Sequence, residues 1–279
     1  MDRLAVIGNI SRDRSRYPDG RSSDQIGGAA LNIALAAART GVRAAAVSVI
    51  GHDLACLPTR LTIPGLDWSA LSITTGTSAT FTLAYDQRSQ LVGMETDYGI
   101  STALTDHALA HIAQHPGDRY HVCCRRPLDV PRILQALTAR EARFSADFFL
   151  PSADYMIRAA APWLRRADMV FVNAEEYRLL ARPLTEATNT DAGRHVLADT
   201  AAALPGVVIT DGPHPVRLLR HGRQVTSVYP PRVAAVEVTG AGDTLAGTFL
   251  ARVLLGDGDT AALKAAARAA SRHTTAQRL

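Results

Sequence analysis

From residue 106 onward, short apolar runs alternate with stretches of helical periodicity, and few folds accept that alternation. Helical segments over 106–114, 130–142, 154–165, 174–181 and 190–203 are interleaved with strand segments over 120–124, 143–148, 169–172 and 206–210. Strands separated by helices of this length pair parallel, and a parallel sheet needs both faces covered. Residues 216–219 and 224–229 then predict a hairpin around Arg220-His221-Gly222-Arg223, followed by helices over 241–255 and 259–273. The predicted class is α/β, a Rossmann-like three-layer sandwich with a central, mostly parallel sheet. Ligands of such sheets bind outside the carboxyl ends of the strands, which is where candidate residues are sought.

The first hundred residues begin the same pattern and then depart from it. Leu4 to Ile7 is a strand ended by Gly8, Ala29 to Arg39 a helix closed by Gly41, and Ala44 to Ile50 a second strand. Residues 14–25 are polar, with a turn signal at Pro18-Asp19-Gly20. Residues 73–98 are rich in β-formers, with Asp86-Gln87-Arg88 placed to turn the chain back, and predict an inserted hairpin or small sheet. No internal repeat or low-complexity linker divides the 279 residues, so one domain is expected.

Composition narrows the classes. With 47% hydrophobic and 20% charged residues, the chain can bury a core and is not of disordered type. No apolar run approaches the ~18 residues that cross a bilayer, and Met1 to Gly8 is too short and too quickly polar for a signal peptide. The net charge is +4, and of 30 basic residues only Lys264 is a lysine. The arginines are scattered with no run beyond pairs such as Arg125-Arg126, which argues against a nucleic-acid surface. Cys56, Cys123 and Cys124 show neither metal-type spacing nor a bridging pattern, so buried structural roles and a reducing cytoplasm are expected.

Five local patterns carry chemistry. Thr239-Gly240-Ala241-Gly242-Asp243 stands between a strand-like segment and an apolar helix. Glycines there let backbone N–H groups face a ligand, and the positive helix end favours an anion such as a transferring phosphoryl group. Asp243 in the first turn can accept a hydroxyl proton, although an ordinary first-turn acid would look the same. Gly27-Gly28 precedes a helix carrying Asn32, whose amide suits a hydroxyl-rich ligand or a backbone partner. Asp13, after the first strand in Asn9-Ile10-Ser11-Arg12-Asp13, is either a substrate contact or a turn former. Asn173 with Glu176 suits an N-cap with a capping-box acid, the reading the residues alone favour, or hydrated Mg²⁺ held through water. Thr210-Asp211-Gly212 follows a buried strand and can touch a nucleotide phosphate.

In this order the five patterns resemble the ribokinase-like (PfkB) carbohydrate and nucleoside kinases over nearly the whole chain. The carriers are Gly27-Gly28 with Asn32, the N-x-x-E element at Asn173 and Glu176, the turn at Thr210-Asp211-Gly212, and the T-G-A-G-D signature from Thr239 to Asp243. The resemblance implies a β lid, here from about 14–25 and 73–98, and transfer of the ATP γ-phosphoryl group to a sugar or nucleoside hydroxyl with Mg²⁺. It implies Asp243 as base and the amides of Gly240, Ala241 and Gly242 as anion hole. Asp13, Gly28 and Asn32 would hold substrate, Thr210, Gly212 and Thr239 would line the ATP site, and Glu176 with Asn173 would organise Mg²⁺. Lid residues near Thr80, Phe81 and Tyr98 would separate sugar from nucleoside, and an exposed lid edge would favour a homodimer.

The sequence also departs from the family pattern. Glu237-Val238 stands where Asp-Thr is common, which leaves use of K⁺ open. Pro215 replaces a glycine after Thr210, and proline has no N–H for a phosphate. The tail is short, and Arg268 falls where a smaller polar residue is common. These departures motivate a competing expectation, a catalytically weak sugar-binding or regulatory protein.

Overall fold

The computed structural model describes residues 3–86, 91–186, 203–233 and 239–275. Fourteen strands and eight helices lie among them. The larger sheet contains β1 (Leu4–Ile7), β4 (Ala44–Gly51), β5 (Leu66–Asp67), β6 (Leu71–Thr74), β9 (Arg119–Cys124), β10 (Phe144–Phe148), β11 (Met169–Asn173), β12 (Val207–Thr210), β13 (Val216–Arg220) and β14 (Arg223–Val228). Its order is β14-β13-β12-β11-β10-β9-β1-β4-β5, with β6 also paired to β4. Every pairing from β12 to β6 is parallel, and only the β12–β13–β14 edge is antiparallel.

Side-chain alternation along the strands explains the layers. On β1, Ala5 and Ile7 face one way and Leu4 and Val6 the other. The first face packs on α3 (Leu104–Gln114), α4 (Val130–Ala139), α5 (Ala153–Leu164) and α6 (Ala174–Glu186), through residues such as Ile112, Leu134, Ile157 and Leu180. The opposite face packs on α1 (Ala29–Arg39), α7 (Ala241–Leu254) and α8 (Asp259–Thr275). A short α2 (Leu57–Arg60) lies between β4 and β5. Helices α1 and α7 meet almost backbone to backbone: a Cβ on Gly247 would lie 2.3 Å from the Ile33 carbonyl oxygen. The sandwich expected from the alternation is therefore the one observed.

A second sheet of four strands, in the order β3-β2-β7-β8, is built from β2 (Ser11–Arg16), β3 (Ser22–Gly27), β7 (Ala79–Tyr85) and β8 (Leu91–Asp97). Strands β2 and β7 run parallel, and each forms an antiparallel pair with its sequence neighbour. The polar stretch 14–25 is thus largely strand, closed by a turn in which the Gly20 N–H donates to the Tyr17 carbonyl. Its polarity hid the strand character because only alternate residues of β2 are buried. Ile73 and Thr74, expected in the inserted sheet, belong instead to β6 and pair with Ile50 and Gly51 of β4. Most of the helix expected over 190–203 falls outside the described residues, as do Gln87 and Arg88 of the expected lid turn and Glu237-Val238. Cys123 and Cys124 are buried as expected, but Cys56 is exposed, because it lies at the start of the short surface helix α2.

Candidate active site

A cleft of about 740 Å³ opens between the second sheet and the carboxyl ends of the large sheet's strands. It gathers ten of the twelve residues singled out in the sequence: Asp13, Gly28, Asn32, Asn173, Glu176, Thr210, Thr239, Gly240, Gly242 and Asp243. Ala241 contributes to the first turn of α7 without lining the cleft wall. Gly212 sits in the exposed β12–β13 turn at φ 53° and does not line the cleft.

The reaction-centre candidate is built by α7. Gly240 caps the helix in the left-handed conformation, φ 75°, which a side chain would resist. The first-turn amides that follow have no partner within the helix and form the positive end of its dipole. Space beside Gly242 is open, since a Cβ there would meet nothing within 4 Å. Asp243 follows directly, and its Oδ2 accepts a hydrogen bond of 3.1 Å from the Asn32 amide on α1. The two candidate segments, 211 residues apart in sequence, are thus joined by one bond. The start of α7 is tied to α8 by His273, whose ring nitrogens lie 3.0 Å from the Thr244 hydroxyl and 3.0 Å from the Thr239 carbonyl.

Gly28 is required by close approach. At φ 96° its Cβ would fall 2.3 Å from the Asn9 carbonyl oxygen, so β1's following loop and α1 can touch only at a glycine. Asp13 on β2 is buried and accepts a 2.7 Å bond from the Ser11 hydroxyl. Gly27 leaves room for its carboxylate, because a Cβ there would lie 2.2 Å from Oδ2.

Asn173 and Glu176 form a capping box at the start of α6. The Asn173 Oδ1 accepts from the Glu175 and Glu176 amides at 2.9 and 2.8 Å, and the Glu176 carboxylate accepts from the Asn173 amide at 2.8 Å. Asn173 is therefore committed to holding Glu176, while Glu176 lines the cleft. Burial pushes the Glu176 carboxyl up to about 7, helped by the charge of Asp147 and opposed by the Asn173 bond and Arg125.

Sequence reasoning overlooked the charged floor of the cleft. The Arg125 guanidinium, just past β9, is paired with the Asp147 carboxylate of β10 and lies 3.9 Å from Asp243 Oδ1. Burial would raise the Asp147 carboxyl, but Arg125 and His121 outweigh it and hold it low. The guanidinium also sits 5.3 Å above the Phe149 ring, and Arg126 5.5 Å above Tyr155. Arg125 and Asp147 both stand at carboxyl ends of parallel strands, so the rule that located Asp13 would have found them. Beside Asp13 the cleft wall is aromatic and apolar, lined by Phe81, Leu83, Met94, Tyr98 and Tyr155, with Arg126 the charged group among them. Phe81 and Tyr98 meet edge to face at 6.3 Å; Thr80, named with them, does not line the cleft.

A family model described as pfkB family carbohydrate kinase matches residues 1–277. A cytidine kinase of Thermococcus kodakarensis is 27% identical over 253 residues, which cover 89% of this chain and 87% of that protein. Burkholderia thailandensis nucleoside kinase, solved with inosine, superposes at a TM-score of 0.81 and 17% identity over 99% of this chain and 92% of its own. An E. coli protein classed as a ribokinase II, solved with ATP and Mg²⁺, gives 0.79 at 16% identity over 100% and 94%. At these identities the two solved structures establish likeness of fold.

Proposed function

The chain belongs to the pfkB family of carbohydrate kinases, and from that premise we propose that it moves the γ-phosphoryl group of ATP to a hydroxyl of a nucleoside. A phosphotransferase acting on an alcohol group is what the family does. The finer choice of acceptor rests on one observation, the aromatic wall of the cleft around Phe81 and Tyr98. The π faces of a flat base can stack on such aromatic walls, whereas a free sugar would leave them without a ring to meet. The cytidine kinase relative supports the same choice. A sugar acceptor is the competing reading.

In this proposal Asp13, Gly28 and Asn32 hold the sugar hydroxyls and direct one of them toward Asp243. Asp243 accepts the hydroxyl proton as the substrate oxygen bonds to the γ-phosphorus and the bond to the leaving ADP oxygen breaks. The amides of Gly240, Ala241 and Gly242 stabilise charge on the transferring group. Thr210 and Thr239 line the space for ATP, and Gly212, outside the cleft wall, would reach it only through the β12–β13 turn. Glu176 fits a role toward Mg²⁺, being a hard oxygen ligand in the cleft with one oxygen bonded to the Asn173 amide. The ion would offset the charge of the ATP phosphates, with Asn173 positioning Glu176. Glu237-Val238, on which the K⁺ question turned, lies outside the described residues, and K⁺ is not part of the proposal.

The test is ATP consumption across nucleosides, ribose, hexoses and sugar phosphates. Turnover preferring nucleosides is expected, and Phe81→Ala should raise their KM by about 10–100-fold, the scale of one lost base–aromatic contact. Efficient turnover of a free hexose or pentose with nucleosides inert would refute the nucleoside assignment.

A further inference from the structure

Below the cleft floor, three side chains able to ligate a metal face one another inside the sheet. His121 and Cys123 project from the same face of β9, and Asp147 on β10 is the register partner of Cys123. One ligand atom from each lies within 4.8 Å of the other two, and all three residues are buried.

Their surroundings are those of a ligand set. The His121 Nδ1 lies 2.8 Å from the Ser145 hydroxyl, which fixes the ring and turns Nε2 inward. Nε2 and the Asp147 Oδ1 face each other at ion-pair distance, 3.4 Å, but neither buried atom completes an aligned hydrogen bond. Buried polar atoms usually do complete one, so this geometry needs a reason. Two ligand atoms each about 2.0–2.2 Å from a tetrahedral zinc ion stand about 3.4 Å apart. The second oxygen of Asp147 is held by Arg125, as the free oxygen of a ligating carboxylate commonly is.

We propose that His121 Nε2, Cys123 Sγ and Asp147 Oδ1 form a site for a borderline-soft divalent cation of the Zn²⁺ type, distinct from the Mg²⁺ that accompanies ATP. Imidazole and thiolate select such an ion over Mg²⁺, which prefers oxygen ligands. Three protein ligands leave the fourth tetrahedral position to a water. Burial, and then the Asp147 charge, keep the free Cys123 thiol protonated. Coordination therefore releases one proton to solvent as the sulfur electron pair is donated to the ion. The dication with one thiolate and one carboxylate is neutral, so it is compatible with the neighbouring Arg125. The ion would join β9 to β10 beneath the arginine that lies beside Asp243.

The full-length protein, stripped with a chelator, is dialysed against micromolar Zn²⁺ or Co²⁺ in excess Mg²⁺ that fills oxygen-ligand sites. One ion per chain is expected by elemental analysis, with a thiolate-to-cobalt charge-transfer band in the Co²⁺ form. Cys123→Ser should abolish the band and weaken binding by at least about a hundredfold, the upper end of losses from outer-shell changes. Cys56→Ser, which alters the exposed thiol, should leave both unchanged. Absence of stoichiometric ion in the wild-type protein, or a band that survives Cys123→Ser, overturns the proposal. The wild-type measurement needs no variant to fold, and neither readout depends on turnover or acceptor.

Discussion

Replacing Glu176 by Gln is expected to stabilise the protein above neutral pH while impairing it as a catalyst. The Glu176 carboxyl titrates at about 7 in the folded chain against an ordinary 4.5, chiefly because it is buried. Between those values the folded state keeps a proton that the unfolded state has released, so stability falls as pH rises. At about 1.4 kcal/mol per pH unit, the whole interval costs about 3 kcal/mol once pH exceeds 7. Gln is uncharged and retains an acceptor oxygen for the Asn173 amide, so the capping box survives. Urea unfolding without Mg²⁺ should therefore show the variant ahead by no more than about 1 kcal/mol at pH 5 and by about 3 kcal/mol at pH 8. Turnover with Mg²⁺ and ATP should fall at least about tenfold, because the amide offers no charge to the ion or its waters. A gain of equal size at pH 5 and pH 8, or a variant weaker than wild type at pH 8, would refute the assignment of the buried acid.

Four further outcomes follow from the geometry. Asp243→Asn should keep the fold, since an amide can still meet Asn32, yet lower kcat by about a hundredfold or more; stopped assays with matched circular dichroism check it. Gly247→Ala should cost about 1–3 kcal/mol in denaturant unfolding, because its Cβ would press on the Ile33 carbonyl where α1 and α7 touch. Arg125→Leu should cost about 3–5 kcal/mol by leaving the Asp147 carboxylate buried without its partner; equal midpoints in urea would contradict the pairing. Pairing of two chains along β3 or β8, the outer strands of the second sheet, should appear as a dimer in light scattering, and a monomer at high concentration would exclude it.

Much of the molecule was legible because its signals are local. Apolar runs of strand length between helical stretches imply a parallel sheet wherever they occur, and the large sheet followed from them. Glycines before an apolar helix mark a helix start, so the turn from Gly240 to Asp243 at the head of a helix was legible without coordinates. The second sheet was harder to place. Strand β2 buries only alternate residues and carries arginines on its outer side, so its polarity concealed it. The strand character of Ile73 was correct, but nothing local says that it pairs with β4 and not with its neighbours in sequence.

The sequence by itself determined the α/β frame, the starts of helices such as α7, and the glycine-rich turn with its adjacent acid. Each depends on residues a few positions apart, whose backbone preferences act over one or two turns of chain. The tertiary structure decided which of those pieces meet. It brought Asn32 to Asp243, set Arg125 between Asp147 and Asp243, and turned His121, Cys123 and Asp147 toward a common point. Those contacts depend on sheet order and strand register, which arise from long-range packing. Register also sets the His121 and Asp147 side chains of neighbouring strands against each other inside the sheet, as no pattern in a single segment could announce.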